Sequence, residues 1–377
     1  MLAVVLSKKA RARAVQLPAW NEAFGLPRPW DQQWSLRLQQ IVAYETDLLE
    51  YADIFDGSKE IDRKVEELKD AARGELRTIE SLGGAIAAVE SGYMKEALVE
   101  SNRVRLRAIE SGEKVVVGVN CYQETEPSPL GGESGEPILT VSDHVEADQI
   151  AQLRAWCDKR DNKAAKTALE DLQQAARDGA NIMPPSIACA KAGVTTGEWG
   201  QKLREVFGEY RAPTGISEIK ASDEAALNEL REAVTLLSKR LGRPLTFLVG
   251  KPGLDGHSNG AEQIAVRARD VGIETVYEGI RLTPEQIVKA ASENDVHIVG
   301  LSILSGSHVP LVQDIMARMQ RAGLDHIPII VGGIIPAEDE NILRQCGVAA
   351  IYTPKDFQLN EIMAEIVELV DRRTDAA

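Results

Sequence analysis

Five short apolar runs, at 245–249 (LTFLV), 275–279 (TVYEG), 296–301 (VHIVGL), 327–332 (IPIIVG) and 348–352 (VAAIY), alternate with helical patterns through the last third of the chain. Strand-length runs separated by amphipathic stretches demand parallel strands joined by crossover helices on both faces, so the fold class is α/β with a doubly wound, flavodoxin-like sheet. The helix signals agree. Ala261, Ile264, Ala265 and Ala268 fall on one helical face. Thr283, Pro284 and Gln286 read as N-cap, first-turn proline and capping-box partner, and Gly323 and Gly347 stand where helix ends need a left-handed residue.

A five-stranded sheet of this kind commonly has the order 2-1-3-4-5, with its ligand crevice beyond the carboxyl ends of the first and third strands. The unusual loops fall there. Lys251 to Gly260, with Gly253 and Gly256 inside it, follows the first strand, Ser302-Ile303-Leu304-Ser305-Gly306 follows the third, and Gly332-Gly333 ends the fourth. The glycines let a ligand approach the backbone.

The preceding residues read differently. An extended piece at 12–19 leads to a Trp-rich segment, to helices near 31–45, 58–82 and 94–111, and to a second strand at 114–119 (KVVVGV). That is too few strands to close a sheet. Residues 125–137 form a Pro/Gly/Ser loop, and 143–241 read as helices with polar breaks. The expected organisation is 1–135, a piece of a larger α/β domain, 136–241, a helical linker region, and 242–377, the doubly wound domain.

Composition narrows the function. A net charge of -15 argues against nucleic acid or an anionic membrane surface as partner. Four scattered cysteines without C-x-x-C spacing point to neither a disulfide framework nor a zinc site, and to the cytoplasm as compartment. No apolar run approaches the roughly 18 residues of a membrane span. The opening MLAVVLSKKARARA has its apolar run before its positive charges, the reverse of a secretory signal.

The chemistry sits in Lys251-Pro-Gly-Leu-Asp255-Gly256-His257-Ser258-Asn259-Gly260, which has the spacing of neither common nucleotide loop. A metal-ligating histidine generally donates its second ring N–H to a carboxylate, a part Asp255 can play for His257, while Lys251 favours the charged form of Asp255. The alternative is a polar turn with Ser258 or Asn259 as N-cap of the next helix. One histidine makes no ordinary zinc site, but it suffices where a macrocycle fills the other positions, which points to a tetrapyrrole or corrin.

Asp255-Gly256-His257-Ser258-Asn259-Gly260 resembles the D-x-H-x-x-G motif of cobalamin enzymes that use a protein histidine as lower axial ligand. Ser302-x-Leu304 and Gly332-Gly333 resemble that group's two further motifs. Residues 80–102 (ESLGGAIAAVESGYMKEALVESN) and 114–120 (KVVVGVN) resemble the C-terminal end of the (β/α)8 barrel of the methylmalonyl-CoA mutase family, and 14–37 and 300–312 resemble its ethylmalonyl-CoA branch.

The resemblance implies an adenosylcobalamin-dependent isomerase that rearranges the carbon skeleton of an acyl-CoA by radical chemistry begun at the cobalt–carbon bond. The substrate would be ethylmalonyl-CoA, giving methylsuccinyl-CoA, with methylmalonyl-CoA as the alternative. It further implies that His257 is the cobalt ligand, Asp255 its orienter and Lys251 the outer charge. Ser302, Leu304, Gly332 and Gly333 would receive the nucleotide tail, with Gly253, Gly256, Gly260 and Gly306 shaping the cofactor loops. Family members carry most of the barrel ahead of this stretch, which implies a truncated chain or half of a split enzyme with little turnover alone. A homo-oligomer or a partner chain holding the rest of the barrel is expected.

Other residues keep two readings. Glu45 resembles a glutamate facing the adenosyl group, against a helix-surface role, and Gln16 ends the extended piece where barrel strands present active-site residues, against simple packing. Lys8, Lys9, Arg11 and Arg13 would meet CoA phosphates or stand as a solvated run. Trp20, Trp30 and Trp34 read as core or interface. His308 is either close to the corrin or a polar helix start, and His144, His297 and His326 read as structural. Two further classes stay open: a cobalamin-binding subunit without activity of its own, and a flavodoxin-like receiver in which the histidine loop is accidental.

Overall fold

The structure is a computed structural model that describes residues 1–10, 12, 14–22, 26–124, 142, 144–210, 213–214 and 227–374. Arg11, Arg13, the 125–137 loop and the expected 135/136 boundary lie outside the described residues. The chain divides into two compact units, one made of 1–139 with 212–377 and the other of 140–211.

In the first unit the N-terminal helices are α1 Leu2–Leu6, α2 Pro29–Tyr44, α3 Lys59–Ser81, α4 Ala85–Glu90 and α5 Tyr93–Glu110. Ser58 caps α3 by accepting from the Ile61 N–H. α4 and α5 are separate because Gly92 takes φ 82°, a left-handed conformation that glycine adopts without penalty. The expected strand at 114–119 is a correction: the segment holds an isolated bridge between Val117 and Cys121 and no ladder. A strand needs a neighbour to satisfy its backbone, and the described residues offer this one none. Large apolar side chains stay exposed along this stretch, among them Trp30, Trp34, Leu36, Tyr44 and Val117.

The second unit comprises α6 His144–Lys159, α7 Asn162–Arg177, α8 Met183–Lys191 and α9 Thr196–Phe207. Leu172 and Cys189 are buried at its centre with Trp199 and Leu203 against them. Thr195 and Glu198 form a capping box at the start of α9.

The first unit resumes with α10 Asn228–Leu241, then β1 Thr246–Gly250, α11 Asn259–Asp270, β2 Glu274–Val276, α12 Pro284–Glu293, β3 Ile298–Ile303, α13 His308–Arg321, β4 Ile329–Gly333, α14 Ala337–Gln345, β5 Ala350–Tyr352 and α15 Leu359–Thr374. The strands are all parallel in the order β2-β1-β3-β4-β5. Alternate side chains point to opposite faces. Phe247, Val249, Ile298 and Ile330 enter one core with α10, α11 and α15, while Leu248, Val299, Leu301 and Val331 enter the other with α12 and α13. Burial on both faces is why β1 reads as a continuous apolar run. Thr283 and Gln286 form the expected capping box, and Gly323 and Gly347 take φ 72° and 99° at their helix ends.

Candidate cofactor site at the sheet switch point

β1 and β3 are neighbours whose chains leave in opposite directions, so the loops at their carboxyl ends open a crevice. The loop after β1 is pinned first. Gly253 N–H donates to Leu282 O at 3.1 Å, Leu282 N–H donates to Lys251 O at 3.1 Å, and Gly253 turns the chain at φ 84°. Lys251 is fully buried, and its ammonium donates to Asp255 Oδ2 at 2.8 Å, with the Ser302 carbonyl at the end of β3 3.5 Å away. Asp255 Oδ1 in turn accepts from the His257 backbone N–H at 3.0 Å and lies 2.6 Å from His257 Nδ1.

Burial alone would raise the Asp255 carboxyl. The hydrogen bonds from Lys251 and from the His257 backbone and ring outweigh it and hold the group at about 2. An ionised carboxylate only accepts, so Nδ1 carries a proton, and in the neutral ring Nε2 is then the nitrogen with the free lone pair. The imidazole itself is 82% exposed, a ligand held from behind and open in front. Among the described residues no group of three His, Cys, Asp or Glu is placed to hold a metal ion. Nε2 is thus open to a metal as a lone protein ligand.

Next along the chain, Asn259 and Gly260 border a cavity of about 430 Å³, within the range of small-molecule sites. Gly260, Ser302, Leu304, Gly332 and Gly333 line it, with Phe247, Val249 and Ile330 as its apolar floor. The loop between strand and helix thus presents a nitrogen ligand and leaves an apolar pocket beside it, an arrangement that fits a corrinoid.

The structure separates residues that the sequence grouped together. A Cβ on Gly333 would lie 1.8 Å from the Ile303 carbonyl oxygen, so glycine there is demanded by the packing of β4 on β3. A Cβ on Gly260 would meet nothing within 4 Å. Gly306 is exposed and does not line the cavity. Glu45 is the exposed C-cap residue of α2 and Gln16 an exposed residue of irregular backbone, and neither lines the cavity.

His308 is buried at the start of α13, with Nε2 2.7 Å from Asp339 Oδ2 and Nδ1 3.1 Å from the Ser305 carbonyl. It braces the loop after β3. His297 Nδ1 accepts from the Thr246 N–H at 3.0 Å between strands. Ser258 is the N-cap of α11 but makes no side-chain cap; its hydroxyl accepts from Lys95 at 3.0 Å.

Sequence reasoning missed the contribution of α5. Lys95 pairs with the buried Glu262 at 2.5 Å, and Asn102, Arg105, Leu106 and Ile109 form one wall of the cavity. Local pattern carries no signal for such contacts, because the partners lie more than a hundred residues apart.

The chain resembles known proteins along its length. Residues 4–209 match the methylmalonyl-CoA mutase family model and residues 245–358 the B12 binding domain model. The chain is 61% identical to the ethylmalonyl-CoA mutase of Methylorubrum extorquens and 62% identical to that of Cereibacter sphaeroides, over 100% of its own length and 54% and 57% of theirs. It is 31% identical to the methylmalonyl-CoA mutase of Escherichia coli over 95% of this chain and 50% of that one. The chain thus spans about half the length of the curated relatives it matches. With the histidine relay standing inside the B12 binding match and the mutase match covering the helices before it, the chain belongs to the methylmalonyl-CoA mutase family.

Proposed function

We propose that the chain carries the cofactor half of an adenosylcobalamin-dependent isomerase acting on a branched dicarboxylic acyl-CoA, ethylmalonyl-CoA to methylsuccinyl-CoA. Residues 242–377 are the cobalamin-binding domain, 136–241 a helical linker region and 1–135 the C-terminal segment of a (β/α)8 barrel. Twofold higher identity to ethylmalonyl-CoA mutases than to a methylmalonyl-CoA mutase, 61% against 31%, supports that substrate. Exposed apolar side chains along α2, such as Trp30, Trp34 and Leu36, support the barrel reading, since they need further structure to cover them. Four free cysteines support a reducing cytoplasm, and no helix among the described residues is long and apolar enough to cross a membrane.

The observation that carries the reading is the Lys251–Asp255–His257 relay beside an apolar cavity. In it Lys251 keeps Asp255 ionised, Asp255 holds the proton on His257 Nδ1, and Nε2 would hold the metal of the cofactor. Bound cobalamin would supply the radical chemistry. The residues of this chain would orient the cofactor and keep water from it: Ser302 would offer a hydroxyl to its nucleotide base, and Leu304, Gly260 and Gly332 would shape the slot.

The test is an absorbance and electron paramagnetic resonance titration of the chain with cobalamin. Histidine ligation with the native base displaced is expected, and His257→Ala is expected to lose it. A metal whose lower face keeps its own base or water in the parent chain overturns the reading.

A further inference from the structure

One wall of the cavity does not come from the B12 binding domain. It is α5, in the segment that matches the mutase model, and Asn102 and Arg105, one turn apart, line the cavity from it. α5 is fixed there by contacts of its own. Val99 is fully buried in the core, Gln263 Nε2 donates to the Val99 carbonyl at 3.2 Å, and Glu110 pairs with Arg267 at 3.0 Å and accepts from the Leu359 N–H at 3.1 Å.

Both polar residues on this wall are donors that lack an acceptor. Asn102 Nδ2 is buried and has no hydrogen-bond partner among the described residues. Arg105 is exposed at the cavity and makes no ion pair or hydrogen bond among the described residues. Asp356 is the one carboxylate among the described lining residues, and its Oδ2 already accepts from the Thr353 N–H at 2.7 Å and hydroxyl at 3.1 Å. Buried donors are ordinarily satisfied, so an unsatisfied amide beside a free guanidinium in an apolar pocket marks a place for a bound acceptor. The ligand this wall asks for has an apolar body and one anionic oxygen group.

We propose that Asn102 and Arg105 bind the phosphodiester in the nucleotide tail of the corrinoid, an inference that rests on the cobalamin reading above. A phosphodiester carries one permanent negative charge and two free oxygens, which suits a guanidinium and an amide acting together. The mutase segment thereby completes the cofactor pocket of the neighbouring domain.

The experiment is an equilibrium absorbance titration of the full chain with cobalamin and with cobinamide, which keeps the corrin ring but lacks phosphodiester and base. Arg105→Ala is expected to weaken cobalamin about tenfold, the size of one lost charge-assisted hydrogen bond, and to flatten its salt dependence. Its affinity for cobinamide should match that of the parent chain. Asn102→Ala should weaken cobalamin less, and Arg105→Lys should keep most of the affinity. Cobalamin affinity unchanged in Arg105→Ala, or an equal loss for both corrinoids, overturns the inference. If the parent chain binds no cobalamin, the cobalamin reading falls and takes this inference with it; parent binding with unchanged variants overturns this inference alone.

Discussion

His257 Nδ1 lies 2.6 Å from Asp255 Oδ1, and the other oxygen of that carboxylate lies 2.8 Å from the buried ammonium of Lys251. The carboxylate therefore does two jobs, fixing a ring and neutralising an interior charge. Its folded value of about 2 is below the roughly 3.9 of a free aspartate. Such a group adds stability that is complete above about pH 4 and is lost as pH falls through about 2. Asp255→Asn should remove this component, so urea midpoints measured from pH 5 to pH 2.5 should fall less steeply in the variant than in the parent. The variant should also start lower at pH 7, because Lys251 then has no counter-charge. On the cobalamin reading, histidine ligation in the variant should weaken about tenfold or more, as for other outer partners of metal-bound histidines.

Two glycines of the crevice make opposite predictions. Gly333→Ala puts a methyl 1.8 Å from the Ile303 carbonyl oxygen, a backbone contact that can be relieved only by separating β4 from β3. A loss of about 3 kcal/mol, at the upper end for overpacking, is expected in denaturant titration. Gly260→Ala meets nothing within 4 Å and stands in the first turn of α11, where alanine is the better helix former. It should leave stability unchanged or raise it by up to about 1 kcal/mol. Equal losses from the two substitutions would show that the clash at Gly333 does not decide its identity.

The sheet was legible because its strands are buried on both faces and its helices carry their own caps, so run length and punctuation at Thr283, Gly323 and Gly347 coincide with the elements. The relay was legible for a similar reason: Lys251, Asp255 and His257 meet within seven residues of chain, with Gly253 turning the backbone between them. The expected strand at 114–119 failed because apolar alternation states a preference, while a ladder also needs a neighbouring strand. The α5 wall was hidden because Asn102 and Arg105 look like ordinary positions of a charged helix until packing sets them on the cavity. The glycine at 333 was read as room for a ligand, whereas its tightest constraint comes from β3.

The Lys95–Glu262 ion pair joins α5 to α11, with Glu262 only 1% exposed. Removing the lysine leaves a carboxylate in the interior without its counter-charge. A fully buried pair broken this way costs about 3 to 5 kcal/mol, and water that reaches Lys95, 27% exposed, reduces that to about 2 kcal/mol for Lys95→Ala. Glu262→Gln in the same chain removes the stranded charge and should recover most of the loss. A double-mutant cycle by urea unfolding measures the coupling, and strictly additive effects would rule out the pair as the link between the helices.

In the unit 140–211, Arg160 meets Glu198 through two parallel bonds, Nη1 to Oε2 at 2.6 Å and Nη2 to Oε1 at 2.5 Å. The guanidinium is the main reason that the Glu198 carboxyl is held at about 2, below the roughly 4.3 of a free glutamate; burial opposes the shift and the Thr195 N–H and hydroxyl support it. The sign is the same as for Asp255. The contribution is complete above about pH 4.3 and disappears as pH falls through about 2. Because Glu198 also closes the capping box of α9, its protonation loosens the helix start as well as the ion pair. Hydrogen exchange on the full chain should show amides of α9 losing protection between pH 5 and pH 3, after correction for intrinsic exchange rates. In Glu198→Gln that pH dependence should vanish, with protection already lower at pH 7. Since Glu198 is 35% exposed, solvent screening keeps the effect modest, and unchanged protection of α9 in the variant would assign the stability of this unit to its Leu172 core alone.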